Sequence, residues 1–183
     1  MKMAKKLLAL VLTGVMAMSV LTGCGSASSR QAAGKLEGML KKANPEATVE
    51  VGSEALANTA IDAATENGKL KTPPASANIS IYGALKNANK DEYVWYTYFK
   101  AEGKNKTDKA QAIADAMLKE ETDGTVTIDD YRAVNGFTLT RIKGKKPGDE
   151  FVLSMNEFTV KETNGSETTD VVYIMAVVTC KAV

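Results

Sequence analysis

The chain has 183 residues, 44% of them hydrophobic and 25% charged, with a formal net charge of +1, the length and usage of one ordinary globular domain. Histidine is absent, which excludes Ser-His-Asp and Cys-His nucleophile systems together with every histidine-based zinc site.

Lys2, Lys5 and Lys6 form a positive n-region, and Leu7 to Leu21 is an apolar stretch interrupted only by Thr13, Gly14 and Ser19, the layout of a signal peptide over residues 1–23. The run is shorter than the roughly 20 apolar residues a spanning helix needs, and it gives way directly to Thr22, Gly23, Cys24, Gly25 and Ser26. Leu21, Thr22, Gly23 and Cys24 resemble the lipobox of bacterial lipoproteins: an aliphatic residue, two small residues, then cysteine. The resemblance implies cleavage between Gly23 and Cys24 and a covalent diacylglyceryl group on the Cys24 sulfur. No other cofactor is expected, and the resemblance implies a lipid-anchored place on the extracytoplasmic face of the cell membrane. It covers the first two dozen residues; no family is recognised for the folded domain. Two acyl chains anchor a protein stably where one holds it only marginally. Three of the 23 basic residues lie in 1–23, leaving 20 against 22 acidic residues, a balance that argues against a nucleic-acid partner. With Cys24 lipidated, Cys180 is the one remaining thiol and no internal disulfide forms. Residues 24–28 then serve as lipidated cysteine and flexible tether.

Apolar residues Ala32, Ala33, Leu36, Met39 and Leu40 recur at helical spacing and predict a helix over 29–43, stopped by Asn44 and Pro45. Residues 47–51 read as a short strand. Ser53 and Glu54 open a second helix carrying Leu56, Ala60, Ile61 and Ala64, closed by Asn67 and Gly68. Residues 29–72 thus form an alanine-rich helical segment, expected to attach loosely. Thr72, Pro73, Pro74, Ala75 and Ser76 predict a linker over 73–77, because two prolines favour extended backbone. Beyond it, 78–183 is expected to be the main domain. Ile79 to Leu85 and Glu92 to Lys100 read as strands joined by a polar turn at 86–91. Thr107 is expected to cap a helix with the stripe Ala110, Ile113, Ala114, Met117 and Leu118. Four strands follow, over 125–130, 137–142, 150–160 and 170–180.

Asn164 and Gly165 suit the centre of a type I′ turn. That turn sets Phe151 opposite Val178, Leu153 opposite Ala176 and Met155 opposite Ile174. Period two in the last strand independently puts Val172, Ile174, Ala176, Val178 and Cys180 on one face. The pattern breaks at Glu157 and Phe158, where a bulge is expected to turn Phe158 inward. The element order predicts an α+β fold with helices packed on one face of a twisted antiparallel sheet, cystatin-like at a coarse level.

Five aromatic residues cluster at Tyr93, Trp95, Tyr96, Tyr98 and Phe99. A strand there puts Trp95 and Phe99 on one face and Tyr96 and Tyr98 on the other. An exposed Tyr96 and Tyr98 pair is the candidate binding site for a sugar or a peptide, although packing alone also favours aromatics in strands. Asp123, Gly124, Val126 and Asp130 resemble half of an EF-hand loop, but Lys119 stands where the first calcium ligand belongs. An Asp-Gly turn explains these residues without a metal. Cys180 reads as a buried, inert thiol. The adjacent acids Glu120 with Glu121 and Asp129 with Asp130 do not converge, because neighbours on a strand face opposite ways. Arg141, Lys143, Lys145 and Lys146 are expected to form a basic tip around a Pro147-Gly148 turn. No catalytic or metal-binding residue is assigned. The sequence leads to a membrane-anchored lipoprotein with a small non-catalytic domain that binds an envelope protein or glycan. The alternatives are a carboxylate-based hydrolase of wall polymers and a structural subunit pairing through its C-terminal strand as a sheet edge.

Overall fold

The computed structural model describes residues 27–88, 92–128, 133–134, 137–138 and 144–183. Leu21, Thr22, Gly23, Cys24, Asp129, Asp130, Arg141 and Lys143 lie outside the described residues. Helix α1 (Ala27–Leu40) is followed by β1 (Thr48–Val51), α2 (Ala55–Ala64), β2 (Thr65–Glu66), β3 (Lys69–Leu70) and α3 (Pro74–Ala88). Next come β4 (Glu92–Lys100), α4 (Lys106–Ala114), β5 (Leu118–Glu120), β6 (Val126–Ile128), β7 (Ala133–Val134) and β8 (Phe137–Thr138). The last two strands, β9 (Pro147–Asn164) and β10 (Glu167–Ala182), are the longest.

Four strands form one mixed sheet in the order β1-β9-β10-β4. β1 runs parallel to β9, and β10 is antiparallel to both its neighbours. The C-terminal strand, expected at an edge, is therefore interior. Its run from Tyr173 to Cys180 is buried on both faces, as a strand covered on both sides must be.

Helices cover both faces, not one. On the first face, Ala32, Ala33, Leu36 and Leu40 of α1 and Ala110, Ile113 and Ala114 of α4 pack on Trp95, Phe151, Leu153, Ile174 and Val178. On the second, Ala57, Ala60 and Ala64 of α2 and Ala77, Ile81 and Leu85 of α3 pack on Val94, Tyr96, Met175 and Val177. The two-layer, cystatin-like arrangement therefore gives way to a mixed α+β fold of three layers. The physical reason is visible in β10, where alternate residues of both parities are apolar, so neither face can be left to water. The alanine-rich helices are closely packed, since small side chains at helical spacing let a helix axis approach the sheet. The Ala57 N–H even donates to the Ser154 hydroxyl at 3.0 Å.

Several local expectations change. Residues 79–85 are helical, with Ala77, Ile81 and Leu85 buried one turn apart. Pro74 starts this helix as its first residue, where a missing N–H costs nothing, so residues 74–77 are helix and only Pro73 of the expected linker lies before it. Lys86 to Ala88, expected in a turn, close the same helix. Ala27 and Ser28, expected in the tether, form the first turn of α1. Asn67 and Gly68 do not cap α2; both have positive φ (52° and 72°) and form the two-residue turn of the β2–β3 hairpin, the type I′ pattern.

The N-cap of α4 is Asn105, not Thr107. Its side chain accepts from Thr107 and Asp108 N–H, and Asp108 accepts in return from the Asn105 N–H, a reciprocal box. The β9–β10 register is shifted by two residues from the expected one, so Phe151 faces Cys180, Leu153 faces Val178 and Met155 faces Ala176. A two-residue shift preserves the faces, and the expected core face stands except for Val172, which is 41% exposed. The turn centres on Gly165 and Ser166, with positive φ at Gly165 alone (64°), as type II′ demands. Glu157 and Phe158 pair regularly with Ile174 and Tyr173. No bulge forms there, because the second face is also covered and gives Phe158 apolar company. Pro147 and Gly148 begin β9 and do not form a turn.

Candidate functional site

β9 and β10 outrun their neighbours. β1 meets β9 only along 150–153, and β4 meets β10 only from Tyr173 onward. The hairpin arm that projects past the sheet would expose its second face were it not flanked by the β2–β3 hairpin. The Lys161 N–H donates to the Gly68 carbonyl at 2.9 Å, which holds that hairpin against β9. Leu70 turns toward the second core, so its strand neighbour Lys69 points the other way, as alternation on a strand requires, and Lys71 follows the strand's end.

Between this segment and β9 lies a groove of about 510 Å³, lined by Lys69, Lys71, Pro74, Tyr98, Lys161 and Glu162 among others. A second depression of about 500 Å³ shares residues 69–72 and is completed by Glu66, Asn67 and Ser76. The ring of Tyr98 is half-buried and tilts against Tyr173, centroids 6.3 Å apart. Tyr173 in turn packs on Phe158 at 5.8 Å. Burial holds the Tyr98 hydroxyl above the usual tyrosine range, so it stays a neutral donor.

Glu162 is spoken for. Its carboxylate accepts from Lys100 at 2.7 Å and from the Tyr173 hydroxyl at 2.5 Å. The Lys100 bond first, then the tyrosine bond, lowers its pKa. Lys71 is held by the Ser80 hydroxyl at 3.3 Å, which itself donates to the Ser76 carbonyl. The groove thus combines the exposed Lys69, Lys71 held at Ser80, an aromatic ring and one internally compensated acid, while the Lys161 side chain alternates with Glu162 along β9 and lies on the other face.

The tyrosine pair expected from the sequence is on one strand face, as read, but its two members differ. Tyr96 is 1% exposed, and its hydroxyl donates to the Asn78 carbonyl at 3.1 Å under α3. It is a core residue, and Tyr98 alone reaches the groove. Lys69 escapes sequence reasoning because it comes to the groove beside Tyr98 only when the β2–β3 hairpin docks on β9.

No family model, curated protein or solved structure matches the chain. The other sequence candidates resolve individually. Asp123 accepts from the Thr125 N–H at 2.9 Å in a β5–β6 hairpin turn with Gly124 at φ 83°, and Lys119 pairs with Glu121 at 3.0 Å. Among the described residues no group of three or more Cys, Asp or Glu side chains is placed to hold a metal ion. Cys180 is buried among Val178 and Phe151, and burial pushes its thiol up to about 11. Lys145 and Lys146 are exposed, and the Lys145 carbonyl accepts from Tyr93 at 2.9 Å. Among the described residues no helix is long and apolar enough to cross a membrane.

Proposed function

We propose that the chain is a membrane-anchored, extracytoplasmic lipoprotein whose domain binds an envelope protein or glycan without transforming it. The observation that carries the binding reading is the groove at Tyr98, a half-buried aromatic floor beside lysine side chains, a composition suited to orienting a ligand. The anchor rests on the resemblance of Leu21, Thr22, Gly23 and Cys24 to a lipobox. Against wall-polymer hydrolysis at this groove stands its single lining acid, Glu162, engaged by Lys100 and Tyr173, where that chemistry uses two carboxyls. Pairing of subunits through the C-terminal strand is not proposed, since β10 lies inside the sheet.

Two measurements test the reading. The mass of the membrane-extracted protein should show a chain beginning at Cys24 with added diacylglyceryl mass, and a Cys24→Ala variant should lack it. Recovery of unlipidated wild type overturns the anchor. The mature chain should co-sediment with purified envelope fragments, and Tyr98→Ala should weaken this about ten-fold, the scale of losing one well-placed aromatic contact. No co-sedimentation with walls or membranes overturns the binding module.

A further inference from the structure

Resting on the lipid anchor of that reading, we propose that the outward face of α1 lies flat on an anionic lipid surface, with Arg30, Lys35, Lys41 and Lys42 at the headgroups. The sheet then stands between the bilayer and the Tyr98 groove, which opens away from the membrane. Ala32, Ala33, Leu36 and Leu40 of α1 are buried, and the opposite side of the helix exposes Ala27, Arg30, Gln31, Gly34, Lys35 and Gly38, spaced as one helical stripe. Lys41 and Lys42, both exposed, follow in the turn after the helix, where the Lys41 N–H still donates to the Glu37 carbonyl at 3.0 Å. No exposed position from 27 to 42 carries an acid. The half-buried Glu37 at the edge of the stripe is engaged by Lys41 at 2.6 Å and by the Val49 N–H at 3.1 Å. Among the described residues no ion pair engages Arg30, Lys35 or Lys42.

The stripe contrasts with the rest of the chain. Of the 20 basic and 22 acidic residues beyond the signal segment, four basic and one acidic fall in 27–42, leaving 16 basic against 21 acidic elsewhere. An anionic surface attracts this stripe and repels the remainder, so its field turns the domain one way round. Three peptide links separate Cys24 from Ala27, a reach of at most about 11 Å. That is little more than the ~8 Å over which surface charge is felt at physiological salt, so a lipid on Cys24 keeps the start of α1 inside the field of the headgroups. Gly34 and Gly38 lie among the basic residues with open space where a side chain would stand, so nothing there holds the helix off a flat surface. Charge alone suits an acidic protein as well as a lipid; the short reach from the anchor selects the lipid. The orientation of the groove follows, since α1 packs on the first face of the sheet while Leu70 and Tyr98 belong to the second.

The test uses the lipidated protein extracted from membranes and reconstituted into phosphatidylcholine vesicles with or without phosphatidylglycerol. With Cys24 lipidated and Cys180 buried, a thiol introduced by Gln31→Cys on the stripe or by Ile79→Cys on the outer side of α3, both exposed, is the one that a maleimide dye labels. Energy transfer to an acceptor dye in the bilayer reports how near each label lies. With phosphatidylglycerol present, transfer from position 31 should exceed that from position 79 about three-fold, because the labels stand on opposite sides of three layers packed about 10 Å apart. Arg30→Gln, Lys35→Gln and Lys42→Gln together should bring the two toward equality at an unchanged Tm, as should pure phosphatidylcholine or salt raised to about 500 mM. If the two transfers are equal in phosphatidylglycerol, or position 79 is the nearer, this proposal fails while the anchor stands. If the triple variant keeps the wild-type ratio, charge does not hold the stripe and the anionic-lipid assignment falls. If the label at position 31 is remote from the bilayer yet shielded from a soluble quencher by envelope fragments, an acidic partner replaces the lipid. If the mass shows no lipid on Cys24 and the protein stays out of the vesicles, the anchor and this proposal fall together.

Discussion

Residue-scale chemistry in this protein is governed by which side chains the sheet takes out of water. Cys180 is 2% exposed and its thiol is raised to about 11 by burial first, so little thiolate exists near neutrality. An aromatic disulfide reagent at about pH 8 should leave the folded protein unmodified and label one thiol per chain of the Cys24→Ser form after denaturation in urea. Rapid labelling of the folded form contradicts the burial. Glu162 makes the opposite case. Its folded pKa lies below the ordinary 4.5, so the stabilisation its carboxylate provides is present above that value and is lost as pH falls through the folded pKa. Glu162→Gln should therefore lower the urea midpoint near neutrality, with the gap to wild type closing as pH falls below the ordinary 4.5 and through the folded pKa. A gap independent of pH assigns the loss to shape and not to charge.

At the scale of elements, α3 gives the sharpest test. In a strand, Ile79 and Ile81 share a face and matter alike. In the helix, Ile81 is fully buried while Ile79 is 57% exposed. Ile81→Ala should cost about 2–5 kcal/mol and Ile79→Ala under about 0.5 kcal/mol by urea denaturation. Equal costs restore the strand. The misreading has a physical source: the run from Ile79 to Leu85 is short and apolar, and periodicity alone does not separate a buried strand from a buried helix there. Pro74 decides it, since proline opens a helix as readily as it breaks one. The two Asn-Gly pairs teach the same lesson. Local chemistry marks a tight turn at each, but at Asn67-Gly68 the turn joins two strands that periodicity does not reveal, and at Asn164-Gly165 the cross-strand packing moves the turn on by one residue.

For the whole molecule, the interior place of β10 has a plain consequence. A chain ending at Gly165 lacks the strand that pairs with both β9 and β4, and it should show no cooperative unfolding transition by circular dichroism. A cooperative transition in that truncation places β10 at the periphery. By itself the sequence determined the helix of residues 29–40, the strand of residues 92–100, the long final hairpin with its core face, and the buried state of Cys180. Each of these rests on a periodicity of apolar residues or on a turn signal that acts within a few positions. It also marked Tyr98 through the aromatic cluster. The tertiary structure alone decided that helices cover both faces, that the last strand is central, and that Tyr96 belongs to the core. It alone brought the Lys69–Lys71 segment beside Tyr98. The reason is that burial of a second face and convergence of distant charges are set by which elements pack together, and that pairing is long-range information no local pattern carries.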